Sequence, residues 1–482
     1  MRFSEYFNLN RTQALLDFVD VPLDTDLAVF LDPGAIRSLD SLWGHELTAY
    51  LQSFFSVVLK KIKNKDDDGA KKLLASLNER NEFHLGYSAG KSQGHGFGSG
   101  SAHSVWNALT KSKAIQTGLL RDLEDTALLI EGIGTDMISD AVSNILRGPL
   151  IKYTQDICAY YNIPLTPNVA SGPMWDINKE TWIQSFVPLP MTPSGKIILV
   201  PKVLVRYRLS FQYDQFYRHY LLPEMQDEHI SSNSSLVKVL KDGSKRVTKK
   251  SLMEKYGSDK LSVIEQTIQH PDVYEDYKQH KAKNPSSPLT HGDFDELENN
   301  TSKTDVLPYY SELKKIKTGT KSASAYEDII EKIFSIIFYP SLCYPQKQEE
   351  QHNGRKRVDL TYLNEAKYGF FKWLSMHYFC PKIYIECKNY SSDVANPELD
   401  QLSGRFSLNR GNIGILVCRK IENKSLFRQR CKDTANDGRG FILALDDEDV
   451  EELCKSYKND DGHQFQSLLK LWKALLNKSD FG

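Results

Sequence analysis

Between residues 323 and 445 the chain sets one helix-length apolar pattern among several apolar runs that have strand length, and that order leaves few folds open. Tyr326 to Phe338 places Ile330, Ile333, Phe334 and Ile337 at helical spacing, which predicts a helix with one buried stripe. Leu342 to Tyr344, Arg357 to Leu360 and Ile383 to Lys388 (IYIECK) then read as strands. Asn396-Pro397 predicts the N-cap and first turn of a helix that carries Gln401 and Arg405. Ile413 to Cys418 and Phe441 to Leu445 are further strands. Strands separated by helices require a sheet covered on its faces, so the expected class is α/β, an α/β/α mixed sheet.

A chain of 482 residues exceeds one ordinary core. The expected division is a mixed helix and strand region over 1–163 with a glycine-rich loop, a strand-rich and helical middle over 164–280, a linker over 281–315, and the α/β domain with a C-terminal helix over 316–482. The linker reading rests on Pro285, Pro288 and Asn299-Asn300 in polar surroundings. Upstream, Val29 to Leu31 reads as a short strand, and Leu47, Leu51, Phe54, Val58 and Ile62 mark an amphipathic helix. Asp136 is expected to cap a helix toward Arg147, with Gly148-Pro149 separating it from the next. Lys196 to Val205 suggests strands, and Phe211 to Leu222 a helix.

Charge and cysteine usage exclude several classes. No apolar run spans a bilayer and no secretory h-region follows Met1, so a cytoplasmic protein with no membrane role is expected. The seven cysteines include no C-x-x-C pair, which argues against a disulfide framework or a zinc knuckle. Net charge is −1, so any nucleic-acid surface must be local. Lys241 to Lys250 and Lys314 to Lys321 read as solvated faces, whereas Arg355-Lys356-Arg357 and the group Arg405, Arg410, Arg419 and Lys420 flank the strands above.

Strand alternation gives IYIECK its chemistry. Ile383, Ile385 and Cys387 share one face, and Glu386 and Lys388 the other. Asp359, on a neighbouring strand, can bring a second carboxylate beside Glu386. Paired carboxylates repel unless a cation lies between them, and Mg²⁺ favours such hard oxygen sites. Lys388 would then orient or deprotonate a water, or stabilise phosphorane oxygens. A lone Glu-x-Lys also reads as ion pairs on a solvated edge, but this one ends an apolar strand.

Taken with their order, these elements resemble the PD-(D/E)xK nuclease superfamily, in its restriction-endonuclease-like, Mrr-type branch. The resemblance covers roughly Ala323 to Leu445. Asp359 matches the strand aspartate, Glu386-Cys387-Lys388 the (D/E)-x-K tripeptide, Glu327 the first-helix glutamate and Gln401 a glutamine on the following helix. Val358 replaces the name-giving proline, and Glu331, one turn beyond Glu327, is an alternative to it. The resemblance implies a Mg²⁺-dependent phosphodiesterase, with Mn²⁺ as substitute, acting on DNA. Asp359, Glu386, the Cys387 carbonyl and Glu327 would hold metal, and Lys388 would assist the water. It also implies a setting in bacterial restriction or anti-phage defence, as a homo-oligomer or with a partner defence protein. A non-catalytic nucleic-acid-binding or assembly subunit is the alternative.

The N-terminal region offers weaker signals. Gly86-Tyr87-Ser88-Ala89-Gly90 satisfies G-x-S-x-G, but no helix-forming segment follows it. Gly90-Lys91-Ser92 ends an incomplete P-loop, because Leu85 stands where its first glycine is needed. His45-Glu46 lacks a second histidine. Gly132 to Asp136 (GIGTD) is turn-rich, and turn geometry explains it as well as function does.

Overall fold

In the computed structural model, residues 1–77, 81–86, 105, 107–298, 304–351, 356–457 and 463–476 are described, with side chains of 348–357 excluded. The glycine-rich stretch beyond Gly86, including Gly90-Lys91-Ser92, and the Arg355-Lys356-Arg357 side chains lie outside them. The fold is mixed α/β, divided into two compact units. One holds Met1–Leu9 and Asp20–Pro288, the other Asn10–Val19 and Leu289–Gly482.

The N-terminal unit is helical with small two-stranded pieces. Helix α1 (Leu42–Lys63) starts where Ser41 Oγ accepts the Gly44 N–H, and it buries Leu47, Leu51, Phe54 and Val58 along one stripe. Helices α2 (Thr135–Ile145) and α3 (Arg147–Tyr161) follow with hardly a break. Gly134, not Asp136, is the N-cap of α2. Gly148-Pro149 sits inside the first turn of α3, where proline lacks no bond because first-turn N–H groups have no intrahelical acceptor. Lys196 to Val205 is mostly irregular, with only Gly195–Lys196 and Val205–Arg206 in strands. Its apolar residues Ile197, Ile198, Leu199 and Val200 are buried without sheet pairing, which is why their β-branched composition misleads. Lys238–Val239 and Lys245–Arg246 form an exposed hairpin, a solvated face as read.

Polar composition over 281–315 conceals helices. His291–Leu297 and Leu307–Leu313 are helical and anchor Phe294, Tyr310 and Leu313 in the core. The C-terminal unit is built on a five-strand mixed sheet. Helix α4 (Ala323–Ile337) precedes β1 (Leu342–Gln351) and β2 (Lys356–Asn364). Helix α5 (Gly369–His377) then leads to β3 (Lys382–Lys388), α6 (Asn396–Ser403) and β4 (Ile413–Cys418). Helix α7 (Lys424–Asn436), β5 (Phe441–Leu445), α8 (Asp447–Ser456) and α9 (Gln466–Leu475) complete it. Spatial order follows chain order. The β1–β2 and β2–β3 pairs are antiparallel, and the β3–β4 and β4–β5 pairs are parallel. Helices α6 and α7 supply the crossovers that parallel pairing demands.

Both buried faces of the central strands explain their unbroken apolar runs: every residue of β4 is buried. Trp472 on α9 is fully buried, with ring centroids 5.0 Å from Phe441 and 4.9 Å from Tyr378. The insertion between β2 and β3 thereby joins the core through α5. Two local readings are corrected. The α6 N-cap is Ala395, whose N–H donates to Glu398, so Asn396 is the first helical residue. Arg405 lies beyond the end of α6.

Candidate active site

The pleat of β3 sends Glu386 and Lys388 to one face, and α6 lies over them. Lys388 Nζ stands 2.7 Å from Glu386 Oε1 and donates to Gln401 Oε1 at 3.0 Å. Gln401 Nε2 donates to the same Glu386 oxygen at 2.6 Å, which closes a triangle. Glu386 is buried, at 1% exposure. Its second oxygen, Oε2, meets no hydrogen-bond partner among the described residues. A buried carboxylate oxygen left in that state costs free energy unless a ligand takes it.

Asp359 enters through a break in the ladder. The β2–β3 register ends at Leu360 opposite Ile385, and the Cys387 N–H donates instead to Asp359 Oδ2 at 2.8 Å. A side chain thus replaces a backbone acceptor, and this fixes the carboxylate at the Glu386 end of β3. Glu327, on the first turns of α4, responds to the same charges. Burial, then Asp359, Asp328 and Glu386, push its carboxyl up to about 7. Burial and Asp359 likewise raise Glu386, against the pull of Lys388. Burial works against the Lys388 charge, but Glu386, Tyr390 and Asp359 together outweigh it and hold the ammonium above its ordinary range. The Cys387 thiol is buried and driven well above its usual pKa, so its backbone carbonyl, not its sulfur, is the ligand to consider.

These observations fit a divalent cation in part. Crowded carboxylates and an unmatched buried oxygen are what a hard cation relieves. Against a ready-made cage, no group of three or more His, Cys, Asp or Glu among the described residues is arranged to hold a metal. Such a cation would draw its remaining ligands from water, the Cys387 carbonyl and substrate, as Mg²⁺ commonly does.

Glu331, the alternative to Glu327, has a partner of its own. Arg11 Nη1 and Nη2 donate to the two Glu331 oxygens at 3.0 and 2.7 Å, so Glu331 belongs to a buried ion pair. Among the basic residues, Arg405 stabilises the Glu386 carboxylate, and its Nε meets no partner among the described residues. Arg419 is instead held by Asp447 at 3.2 Å and Arg410 by Ser407. Two neighbours escaped sequence reasoning. Asn389 is buried and donates to the carbonyls of Lys317 and Gly319, which ties the strand end to the turn before α4. Lys347 on β1 partly offsets the charge around Glu327, and it was hidden because β1 reads from sequence as ending at Tyr344.

Fold and site together define an α/β domain whose five-strand sheet carries a buried carboxylate–lysine centre. Comparison with known proteins adds one likeness elsewhere in the chain: residues 8–212 match the model of a domain of unknown function, DUF8370. No curated protein and no solved structure matches. Among the described residues no helix is long and apolar enough to cross a membrane.

Proposed function

We propose that the C-terminal unit is a metal-dependent nuclease of the PD-(D/E)xK kind that hydrolyses phosphodiester bonds in DNA. The observation that carries the reading is the unmatched, buried Glu386 Oε2 in the company of Asp359 and Lys388. Asp359, Glu386, the Cys387 carbonyl and Glu327 are the groups that would hold the cation. When bound, a divalent ion supplies positive charge to the scissile phosphate and acidifies a coordinated water. Lys388, an ammonium already donating to Glu386 and Gln401, has a third N–H to offer an attacking water or a phosphorane oxygen. Gln401 holds Glu386 and Lys388 at fixed separation, and both are buried. Restriction or defence against foreign DNA is the setting this reading favours.

A second reading, a nucleic-acid-binding subunit without turnover, is favoured by the lack of a three-residue cage among the described residues. Calorimetric titration with Mn²⁺ separates them. Wild type should bind the ion and Glu386→Gln should bind it at least tenfold more weakly, with thermal stability retained. Equal binding in both proteins, or none in either, refutes the nuclease centre.

A further inference from the structure

Within the N-terminal unit, several buried or half-buried cations have carboxylate partners. Lys278 Nζ lies 2.9 Å from Asp125 and 3.1 Å from Asp122, Arg37 pairs with Glu124 and Asp122, and Arg147 with Glu82. One cleft of about 510 Å³ holds a half-buried lysine without a carboxylate bond among the described residues. Its lining includes Arg208, which is exposed, lies outside any helix and engages no acceptor among the described residues, and Lys260 from the first turn of the helix Lys260–Gln269. The only bond that Lys260 Nζ makes among the described residues is to the Ile133 carbonyl, at 3.2 Å. Burial pulls its pKa down to about 8, against the attraction of Glu131. A half-buried ammonium without a carboxylate partner is a destabilised charge that an anionic ligand would relieve.

The rest of the lining supplies the other half of a ligand. Asp214 is the one carboxylate in the wall, beside two cations. Phe211 and Tyr213 add aromatic surface, and the Tyr213 hydroxyl is already committed to the Ser258 carbonyl at 2.8 Å, so its ring is fixed. The turn-rich Gly132 to Asp136 segment forms another edge of the cleft through Ile133, Gly134 and Thr135. The volume falls in the range of about 300–1,000 Å³ that small-molecule sites occupy.

We infer that this cleft binds a phosphorylated ring compound of mononucleotide size, with its phosphate on Arg208 and Lys260 and its ring against Phe211 and Tyr213. The compound is a ligand, not a substrate. Nothing nucleophilic need act on it, and its binding is read independently of any cleavage by the C-terminal unit.

Calorimetric titration of the full chain with AMP, GMP, CMP and UMP, and with adenosine and inorganic phosphate as controls, tests the assignment. At least one monophosphate should bind saturably, inorganic phosphate more weakly, and adenosine not at all. Arg208→Gln and Lys260→Gln should each weaken that binding by about tenfold, the loss of one charge-assisted contact. Lys238→Gln, at an exposed lysine on the hairpin, should leave it unchanged. Both cleft variants replace a cation with a neutral polar side chain, and unchanged melting temperatures would show that they fold. No binding by any of the four monophosphates overturns the inference, as does adenosine binding equal to AMP or affinity untouched in both cleft variants.

Discussion

Removing Arg11 should damage a unit whose sheet lies more than three hundred residues further along the chain. Its guanidinium grips both oxygens of Glu331 at 3.0 and 2.7 Å, and Glu331 is 1% exposed. The Arg11→Ala protein leaves that carboxylate buried, with the Ser335 hydroxyl, at 3.3 Å, as its one remaining donor among the described residues. Breaking one side of a buried pair typically costs about 3–5 kcal/mol, and the 12% exposure of Arg11 favours the lower end. For a unit of this size about 3 kcal/mol corresponds to a fall of roughly 6–12 °C in melting temperature. The assay is calorimetric melting of the full chain, following the transition of the C-terminal unit. Glu331→Gln added to Arg11→Ala should recover a large part of the loss, because the stranded charge is gone. Arg11→Lys should fall between, since a point charge cannot reproduce the fork. A shift below about 2 °C for Arg11→Ala, or no recovery in the double variant, would refute the reasoning. Because Glu331 sits one turn from Glu327 on α4, cleavage by the surviving folded fraction should fall as well.

Further expectations follow from other particulars. Gln401→Ala should lower kcat for DNA cleavage by about 10- to 100-fold with KM little changed, since it removes the bonds at 2.6 and 3.0 Å that hold Glu386 and Lys388; single-turnover rates check this. Gly440→Ala should destabilise the fold by about 1–3 kcal/mol in denaturant melts, because its φ is +98° and an added Cβ would crowd Phe406 and the Asn412 carbonyl. Burial pushes Glu124 up to about 7, so the folded state keeps a proton that the unfolded chain releases near its ordinary value of 4.5. Its contribution to stability is therefore full below pH 4.5 and declines as pH rises through about 7, and Glu124→Gln should flatten that part of the pH–stability curve.

The sheet was legible where side-chain period and burial agree. In β3 the alternation of Ile383 and Ile385 with Glu386 and Lys388 located the strand, its face and the pair that meets at 2.7 Å. The α4 stripe was equally plain, because Ile330, Ile333, Phe334 and Ile337 are all buried as their spacing predicts. What escaped depends on distant partners. No local pattern announces that Glu331 is taken by Arg11, or that Asp359 replaces a ladder acceptor for the Cys387 amide. Polar surroundings hid the helices around Phe294 and Tyr310, whose few apolar anchors are too sparse to form a stripe. Buried backbone bonded outside any sheet defeated the strand reading of Lys196 to Val205, since Ile197, Ile198 and Leu199 donate to Pro190, Glu82 and Thr154 rather than to a neighbouring strand.

The measurement that bears most directly on the carboxylate–lysine centre is cleavage of end-labelled double-stranded DNA with Mg²⁺ or Mn²⁺, single-stranded DNA and RNA serving as parallel substrates. The account predicts cleavage of DNA that chelation abolishes and that Asp359→Ala and Lys388→Ala each reduce by at least a hundredfold, about 2.7 kcal/mol of transition-state stabilisation, while both variants remain folded at the assay temperature. Cleavage that persists in either folded variant, or that survives chelation, would contradict it.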